Sequence, residues 1–269
     1  RDAALAGLLG RLTGAPGPWR RPGPATGGNA GEVAFFRGCA NRGLLPDTSR
    51  RLLELCAAAG FTVIRPAGQD CCGALAAHAG RPQRALALRR RNREAFAPLR
   101  PTTPLLVEAA GCSLELAAMD QAWAGRVVDP AQLLAAAALP PLFRLPLTVA
   151  VHDPCHARHG RQVVAEPRDL LRRIPGVVVR EPDEAEVCCG SGGTWGLRHP
   201  EMADALGRRK ARLLAATGAD LVVTTNPGCL GQIKDGLALE APDLPILPLT
   251  DLLWYAAARA AVGADPAHR

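Results

Sequence analysis

The sequence predicts an α/β protein made of two pseudo-repeated modules, each a small parallel sheet flanked by helices, with cysteines on loops at the carboxyl ends of the strands. Three observations carry this prediction. Short apolar runs alternate with longer stretches of helical periodicity, the pattern of β–α–β units with right-handed crossovers. Eight of the nine cysteines fall into two copies of one spacing: Cys39, Cys71, Cys72 and Cys112, then Cys155, Cys188, Cys189 and Cys229. The interval from the single cysteine to the Cys-Cys-Gly triplet is 32 residues in one copy and 33 in the other, and the interval to the last cysteine is 40 in both. Finally, Pro82 recurs as Pro200, and Arg90-Arg91 recurs as Arg208-Arg209, so the duplication extends beyond the thiols.

Taken in order, residues 1–14 predict an amphipathic helix with Leu5, Leu8, Leu9 and Leu12 on one side. Residues 15–31, dense in Pro and Gly, read as a linker. The first module is assigned to residues 32–141. Its first strand, 33–36, ends just before Gly38-Cys39. Asp47 is placed to cap a helix running to Ala59, with Leu52, Leu55, Cys56 and Ala59 on one face. Gly60 stops that helix, and a strand over 61–64 leads to Cys71-Cys72-Gly73. Pro82 suits the first position of the next helix. A third strand over 105–107 precedes Gly111-Cys112, and Val127-Val128 with a helix over 130–139 closes the module. The second module, 142–269, repeats the order. A strand over 147–151 precedes Asp153-Pro154-Cys155, and a helix ends over 170–174. A strand over 177–179 precedes Cys188-Cys189, Pro200 opens a helix, and a strand over 221–223 precedes Gly228-Cys229. Ile246-Leu247 and a helix from Asp251 end the repeat.

Composition removes several function classes. Hydrophobic content of 48% and charged content of 21% are ordinary for a globular chain of 269 residues. The net charge of +7 is nearly all arginine, with Lys210 and Lys234 the only lysines. One Tyr and five Phe offer few stacking platforms and no zinc-finger spacing occurs, which argues against nucleic-acid binding. No apolar run of about 18 residues is present to span a bilayer; Pro140-Pro141 break the most apolar stretch. The first residues carry no signal-peptide apolar region, and a start at Arg1 rather than Met fits a fragment or processed form. Nine cysteines without an export signal point to the reducing cytoplasm, where such clusters bind metal or carry out redox chemistry. A disulfide framework fits poorly, because adjacent cysteines bridge each other only with strain.

In a parallel sheet every one of these cysteines follows a strand. Helix N-termini at that edge aim N–H groups at bound ligands and stabilise thiolates. Four thiolates satisfy one tetrahedral zinc or one iron–sulfur cluster. Structural zinc usually takes paired ligands two to four residues apart. The distant single cysteines therefore favour iron–sulfur, with zinc as the alternative in one or both modules. Glycines after each pair, and Gly38, Gly111 and Gly228 before single cysteines, allow close backbone approach to an inorganic group.

The stretch Cys71-Cys72-Gly73-Ala74-Leu75 with His78-Ala79-Gly80 resembles the cysteine-rich CCG-domain family. So do His152-Asp153-Pro154-Cys155, Cys188-Cys189-Gly190-Ser191 and Asn226-Pro227-Gly228-Cys229. The resemblance covers roughly residues 32–257 and is strongest to the glycolate oxidase iron–sulfur subunit. It extends to lactate-utilisation iron–sulfur proteins, to the iron–sulfur subunit of anaerobic glycerol-3-phosphate dehydrogenase and to the cysteine-rich subunit of heterodisulfide reductase. It implies one or two 4Fe-4S centres, with Cys39, Cys71, Cys72 and Cys112 as one ligand set. Cys155, Cys188, Cys189 and Cys229 would form the other. It also implies electron transfer from an FAD-containing 2-hydroxy-acid dehydrogenase subunit towards quinone, in the cytoplasm or peripherally at the inner face of the membrane. Two departures stand out. Where heterodisulfide reductase-type motifs carry a fifth cysteine, this chain has Glu115 and Gln232. The upstream CxxCxxCxxxCP runs of a ferredoxin-like domain are absent, which implies a separate ferredoxin-like subunit or a missing N-terminal domain. A zinc-stabilised assembly module and a heterodisulfide-reductase-like thiol–disulfide enzyme are the rival readings.

The remaining candidates have plainer roles. Cys56 reads as a small buried hydrophobe beside Leu52 and Leu55. His152 and His156 flank Cys155, with His159 beyond; ligation is conceivable, but hydrogen bonding near a cluster, or an ordinary surface position, is the expectation, as for His78. Ser191-Gly192-Gly193 reads as a turn rather than a phosphate loop. Arg89, Arg90, Arg91 and Arg93, with Arg208, Arg209 and Lys210, read as solvated helix faces, docking of an acidic partner or anionic lipid being the sharper alternative. No nucleophile–base pair or dinucleotide fingerprint is visible, so substrate should be oxidised on another subunit.

Overall fold

The structure, a computed structural model, describes residues 3–14, 19–25, 28–119 and 121–258. Two four-stranded, all-parallel sheets form its frame, as the alternation of strand and helix requires. The first contains β1 (Gly31–Phe36), β2 (Phe61–Ile64), β3 (Leu105–Val107) and β4 (Val127–Val128), in the order β2-β1-β3-β4. The second contains β5 (Thr148–His152), β6 (Val178–Arg180), β7 (Leu221–Thr224) and β8 (Ile246–Pro248), in the order β6-β5-β7-β8. The register matches as well: Ala34 pairs with Leu105 in one sheet, and Ala150 with Val222 in the other.

Both sheet faces are covered, which is why the strands read as continuous apolar runs. In β1 the period of two sends Val33 and Phe35 to one core and Ala34 and Phe36 to another. The Val33 side joins Leu106 to Val149, Val151, Leu221 and Val223 of the second sheet, so the two halves share a central core. Each outer face has its own cluster, around Phe36, Phe96 and Trp123 in one half and Val222, Leu214 and Ile233 in the other.

Reciprocal contacts between the halves follow a pseudo-two-fold relation. Helix Pro46–Ala58 packs on Leu249–Ala257, and their repeat equivalents Ala165–Arg172 and Pro130–Ala135 pack on each other. Helix Cys39–Leu44 meets Pro227–Glu240, while Ala110–Ala117 meets the π-helical turn His156–Arg161. An isologous contact of this kind is what a fused C2 dimer would make.

Local details depart from expectation in three places. Asp47 is not the N-cap: the helix begins at Pro46, with proline at its first position, and Asp47 pairs with Arg50 in its first turn. The helix from Pro130 stops at Ala135, short of residue 139; Asp129 and Gln132 form a capping box at its start. The N-terminal helix, Ala3–Thr13, buries Leu9 and Leu12 against the shared core. In the Pro/Gly-rich stretch, residues 15–18 and 26–27 lie outside the described residues, as does 259–269. Trp19 within it is docked, its ring 5.0 Å from Tyr255 and 6.4 Å from Trp254. No helix among the described residues is long and apolar enough to cross a membrane.

Beneath helix Pro46–Ala58, burial pushes the Glu108 carboxyl up to about 7, although Ser49 Oγ donates to it at 2.6 Å. The native state then holds a proton that the unfolded chain releases near pH 4.5. Stability is therefore fullest below that pH and falls, by about 1.4 kcal/mol per unit for this group, as pH rises towards 7. Asp129, likewise pushed up to about 7 by burial, adds a slope of the same sign. Glu108→Gln is expected to flatten the pH 5–7 decline in denaturant-derived stability; an unchanged slope would show that Glu108 is ionised in the fold.

Candidate functional site

Strand order places the site. The chain leaves β1 for β2 on one side and returns to β3 on the other, so β1 and β3 diverge at a topological switch point. Cys39 follows β1, Cys71 and Cys72 follow β2, and Cys112 follows β3, all at the carboxyl edge. The second sheet does the same with Cys155, Cys188–Cys189 and Cys229. Only the paired cysteines lie on loops. Cys39, Cys112 and Cys229 stand within the first turns of helices and Cys155 directly precedes one, because β-to-helix connections here are only a few residues long.

All nine cysteines are free thiols. In the first set Cys39 Sγ lies 3.4 Å from Cys71 Sγ, and Cys72 Sγ 3.2 Å from Cys112 Sγ. Contact with Cys39, then with Cys72, holds the Cys71 thiol far below its ordinary value, while contact with Cys71 raises Cys39. The second set repeats this: Cys188 is lowered by Cys155 and Cys189, and Cys155 is raised by Cys188. Backbone N–H groups face the sulfurs in matching places. Ala40, Gly73 and Ala74 serve Cys39, Cys71 and Cys72; His156, Gly190 and Ser191 serve Cys155, Cys188 and Cys189. The Gly190 N–H approaches Cys188 Sγ at 3.3 Å. Four thiols with N–H donors aimed at sulfur suit a thiolate-held metal or iron–sulfur centre in each half.

The glycines divide in their roles. Gly38 does face the sulfurs, since a Cβ there would stand 3.8 Å from Cys112 Sγ. Gly73 and Gly190 are required by left-handed backbone (φ 93° and 90°) and by the helix behind them. A Cβ at Gly190 would come within 2.5 Å of the Ala203 carbonyl.

Each Cys-Cys loop is pinned by a buried polar side chain ten residues after the proline that opens the next helix. Asn92 accepts from the Asp70 N–H at 2.8 Å and donates to the Cys71 carbonyl at 3.0 Å. Lys210, expected on a solvated face, is fully buried and donates to the Glu184 carbonyl at 2.7 Å. Asp153 of the His-Asp-Pro-Cys stretch is held by Arg168 (2.8 and 2.9 Å) and Arg158 (2.7 Å), and Arg168 also grips Glu181. Arg168 was invisible as a site residue because its partners lie in other segments. Glu115 and Gln232, in the fifth-cysteine positions, face the neighbouring helix: Glu115 pairs with Arg89, and Gln232 donates to the Ala203 carbonyl at 2.9 Å.

The histidines separate in the same way. His78, His156 and His159 are exposed. His152 is 2% exposed, and neither ring nitrogen has a hydrogen-bond partner in the protein. Its ring and the thiols of Cys189 and Cys229 offer ligand atoms all within 4.8 Å of one another. The surface expectation therefore fails for His152: as the last residue of β5 it points into the site, where the first module has Phe36. Cys56 is fully buried, its thiol pushed up to about 12 by burial.

The basic run does not form a free face. Arg90 pairs with Glu94, Arg91 with Asp70, Arg208 with Glu240 and Arg209 with Glu184, and Arg93 donates to the Met119 carbonyl.

Fold and site together define a duplicated, doubly wound α/β protein with two four-cysteine sets at equivalent sheet edges. The Cysteine-rich domain family (CCG) matches residues 33–117 and 149–234, and the chain belongs to that family. It is 32% identical to a probable glycolate oxidase iron–sulfur subunit of Bacillus subtilis, covering 87% of this chain and 56% of that protein. It is 34% identical to a subunit of the fumarate reductase (CoM/CoB) of Methanothermobacter marburgensis, covering 85% and 47%. The chain thus spans about half the length of these curated relatives. The fold is shared with a hypothetical protein from Helicobacter pylori, with a TM-score of 0.64 at 10% identity over 97% of this chain and 54% of that one.

Proposed function

We propose that this chain is an iron–sulfur electron-transfer subunit of a flavin-dependent 2-hydroxy-acid dehydrogenase, of glycolate or lactate type, relaying electrons from an FAD subunit towards quinone. The observation that carries this reading is the pair of four-cysteine sets, each gathered by its own sheet and each met by N–H groups. The names of the relatives, two of them glycolate oxidase iron–sulfur subunits and one a fumarate reductase subunit, agree with it. Cys39, Cys71, Cys72 and Cys112 would hold one centre; Cys155, Cys188, Cys189 and Cys229 would hold the other. An iron–sulfur centre, of 4Fe-4S type in this reading, supplies one-electron chemistry when bound. The chain's own residues do the rest: thiolates ligate, N–H groups stabilise charge on sulfur, and buried walls around Cys72, Cys112, Cys189 and Cys229 restrict water.

Anaerobic purification with iron, sulfide and zinc analysis, and EPR of the dithionite-reduced protein, tests the proposal. Iron with equivalent sulfide and a reduced-state EPR signal are expected; zinc without iron and a silent spectrum would sink it. The buried His152 beside Cys189 and Cys229 favours one second reading, zinc in the second module alone. In that case one zinc per chain would accompany iron in the first set only.

A further inference from the structure

A cleft of about 900 Å3 opens onto the first cysteine set, with the half-buried Cys39 and Cys71 in its lining. It is assembled from both halves. Arg42 comes from the helix begun by Cys39, Arg81 and Arg84 from around the start of helix Pro82–Phe96, and Arg198 from helix Thr194–Arg198 of the other half. Among the described residues, none of these four arginines is paired with a carboxylate. A fifth, Arg91, takes up Asp70, the one acidic residue of the lining. Leu75 (42% exposed) and Leu197 (84% exposed) add apolar surface from the two halves.

Like charges gathered in a cleft repel one another, and the field that they focus steers and orients partners of opposite charge. The arginines of the Arg90-Arg91 and Arg208-Arg209 helix faces are paired with carboxylates of the same chain; here unpaired ones are gathered around two half-buried cysteines. We propose that this cleft is the docking site for an acidic surface of a redox protein, which places that protein's electron carrier against the Cys39–Cys71 side of the first set. Complementary charge would steer and orient the encounter, and Leu75 and Leu197 would supply the apolar contact at its centre. A bilayer fits less well, because a flat surface would not reach the floor of a concave cleft. The assignment of a redox purpose rests on the electron-transfer reading above; the docking itself does not.

The test therefore uses binding. The chain is immobilised and a small acidic ferredoxin is passed over it at low and at high ionic strength, with basic cytochrome c as the control. Anionic phosphatidylglycerol vesicles are tested by co-sedimentation. Salt-sensitive ferredoxin binding is expected, weakened about tenfold or more in an Arg84→Glu/Arg198→Glu variant. Equal affinity in the variant, or no ferredoxin binding by the parent chain, overturns the proposal; so does capture by vesicles without capture of ferredoxin. Circular dichroism of the variant, whose substituted residues are exposed, checks that it is folded. A chain that binds ferredoxin but no iron would sink the electron-transfer reading while leaving the docking site standing.

Discussion

Cys189→Ser is expected to remove about half of the bound iron while leaving the EPR signal of the other centre, because in the proposed function each centre would take four thiolates from one sheet. Cys189 is 2% exposed and central in its set: its thiol contacts both Cys188 and Cys229. Serine is a poor ligand for soft iron–sulfur chemistry, and no other described cysteine is free to substitute, since Cys56 lies buried in its helix away from both sets. Cys72→Ser, the equivalent change in the first module, should remove the complementary half. Iron and sulfide content with EPR of each variant check the expectation. Full iron retention in either would remove that cysteine from the ligand set, and loss of all iron in both would mean that the two sets build one site.

Arg51→Ala is expected to cost about 3–5 kcal/mol of stability, the usual penalty for stranding one partner of a buried ion pair. Arg51 stands on the first half and Asp251 on the second, both nearly inaccessible, with Nη1 2.5 Å from Asp251 Oδ2. Its Nη2 donates to the Tyr255 hydroxyl at 2.9 Å, and its guanidinium lies over the rings of Trp254 (5.3 Å) and Tyr255 (4.8 Å). Truncation removes all of these and leaves the Asp251 carboxyl, already raised by burial, without its counter-charge. The double variant Arg51→Met/Asp251→Leu should recover most of the loss, since apolar side chains can replace a buried pair at little cost. Urea unfolding of the three proteins measures this. A loss under about 1 kcal/mol for Arg51→Ala would mean that this pair contributes little to holding the halves together.

Much of the fold was legible because its signals are local. Strands such as Phe61–Ile64 and Leu221–Thr224 are short apolar runs between glycine or polar stops, and Pro82 and Pro200 mark helix starts by their own backbone restriction. Asp47 misled because proline at position 46 already fixes the start of that helix, leaving no role for a side-chain cap. Helix Pro130–Ala135 was read as too long because the alanine run beyond it has helix propensity and no stop signal of its own.

The duplication, the parallel α/β class and the eight thiols that gather were all legible along the chain, because cysteine spacing and strand–helix alternation are one-dimensional records of a repeated unit. Only the tertiary structure decided what surrounds them. His152 became a buried neighbour of Cys189 and Cys229, Lys210 a loop clamp, and the conspicuous arginine run a set of exposed surface ion pairs. Arg42, Arg81, Arg84 and Arg198 instead came together from separate elements around the Cys39–Cys71 cleft. Charge pairing and burial are set by which helices meet across the pseudo-two-fold, a relation between distant segments that no local spacing encodes.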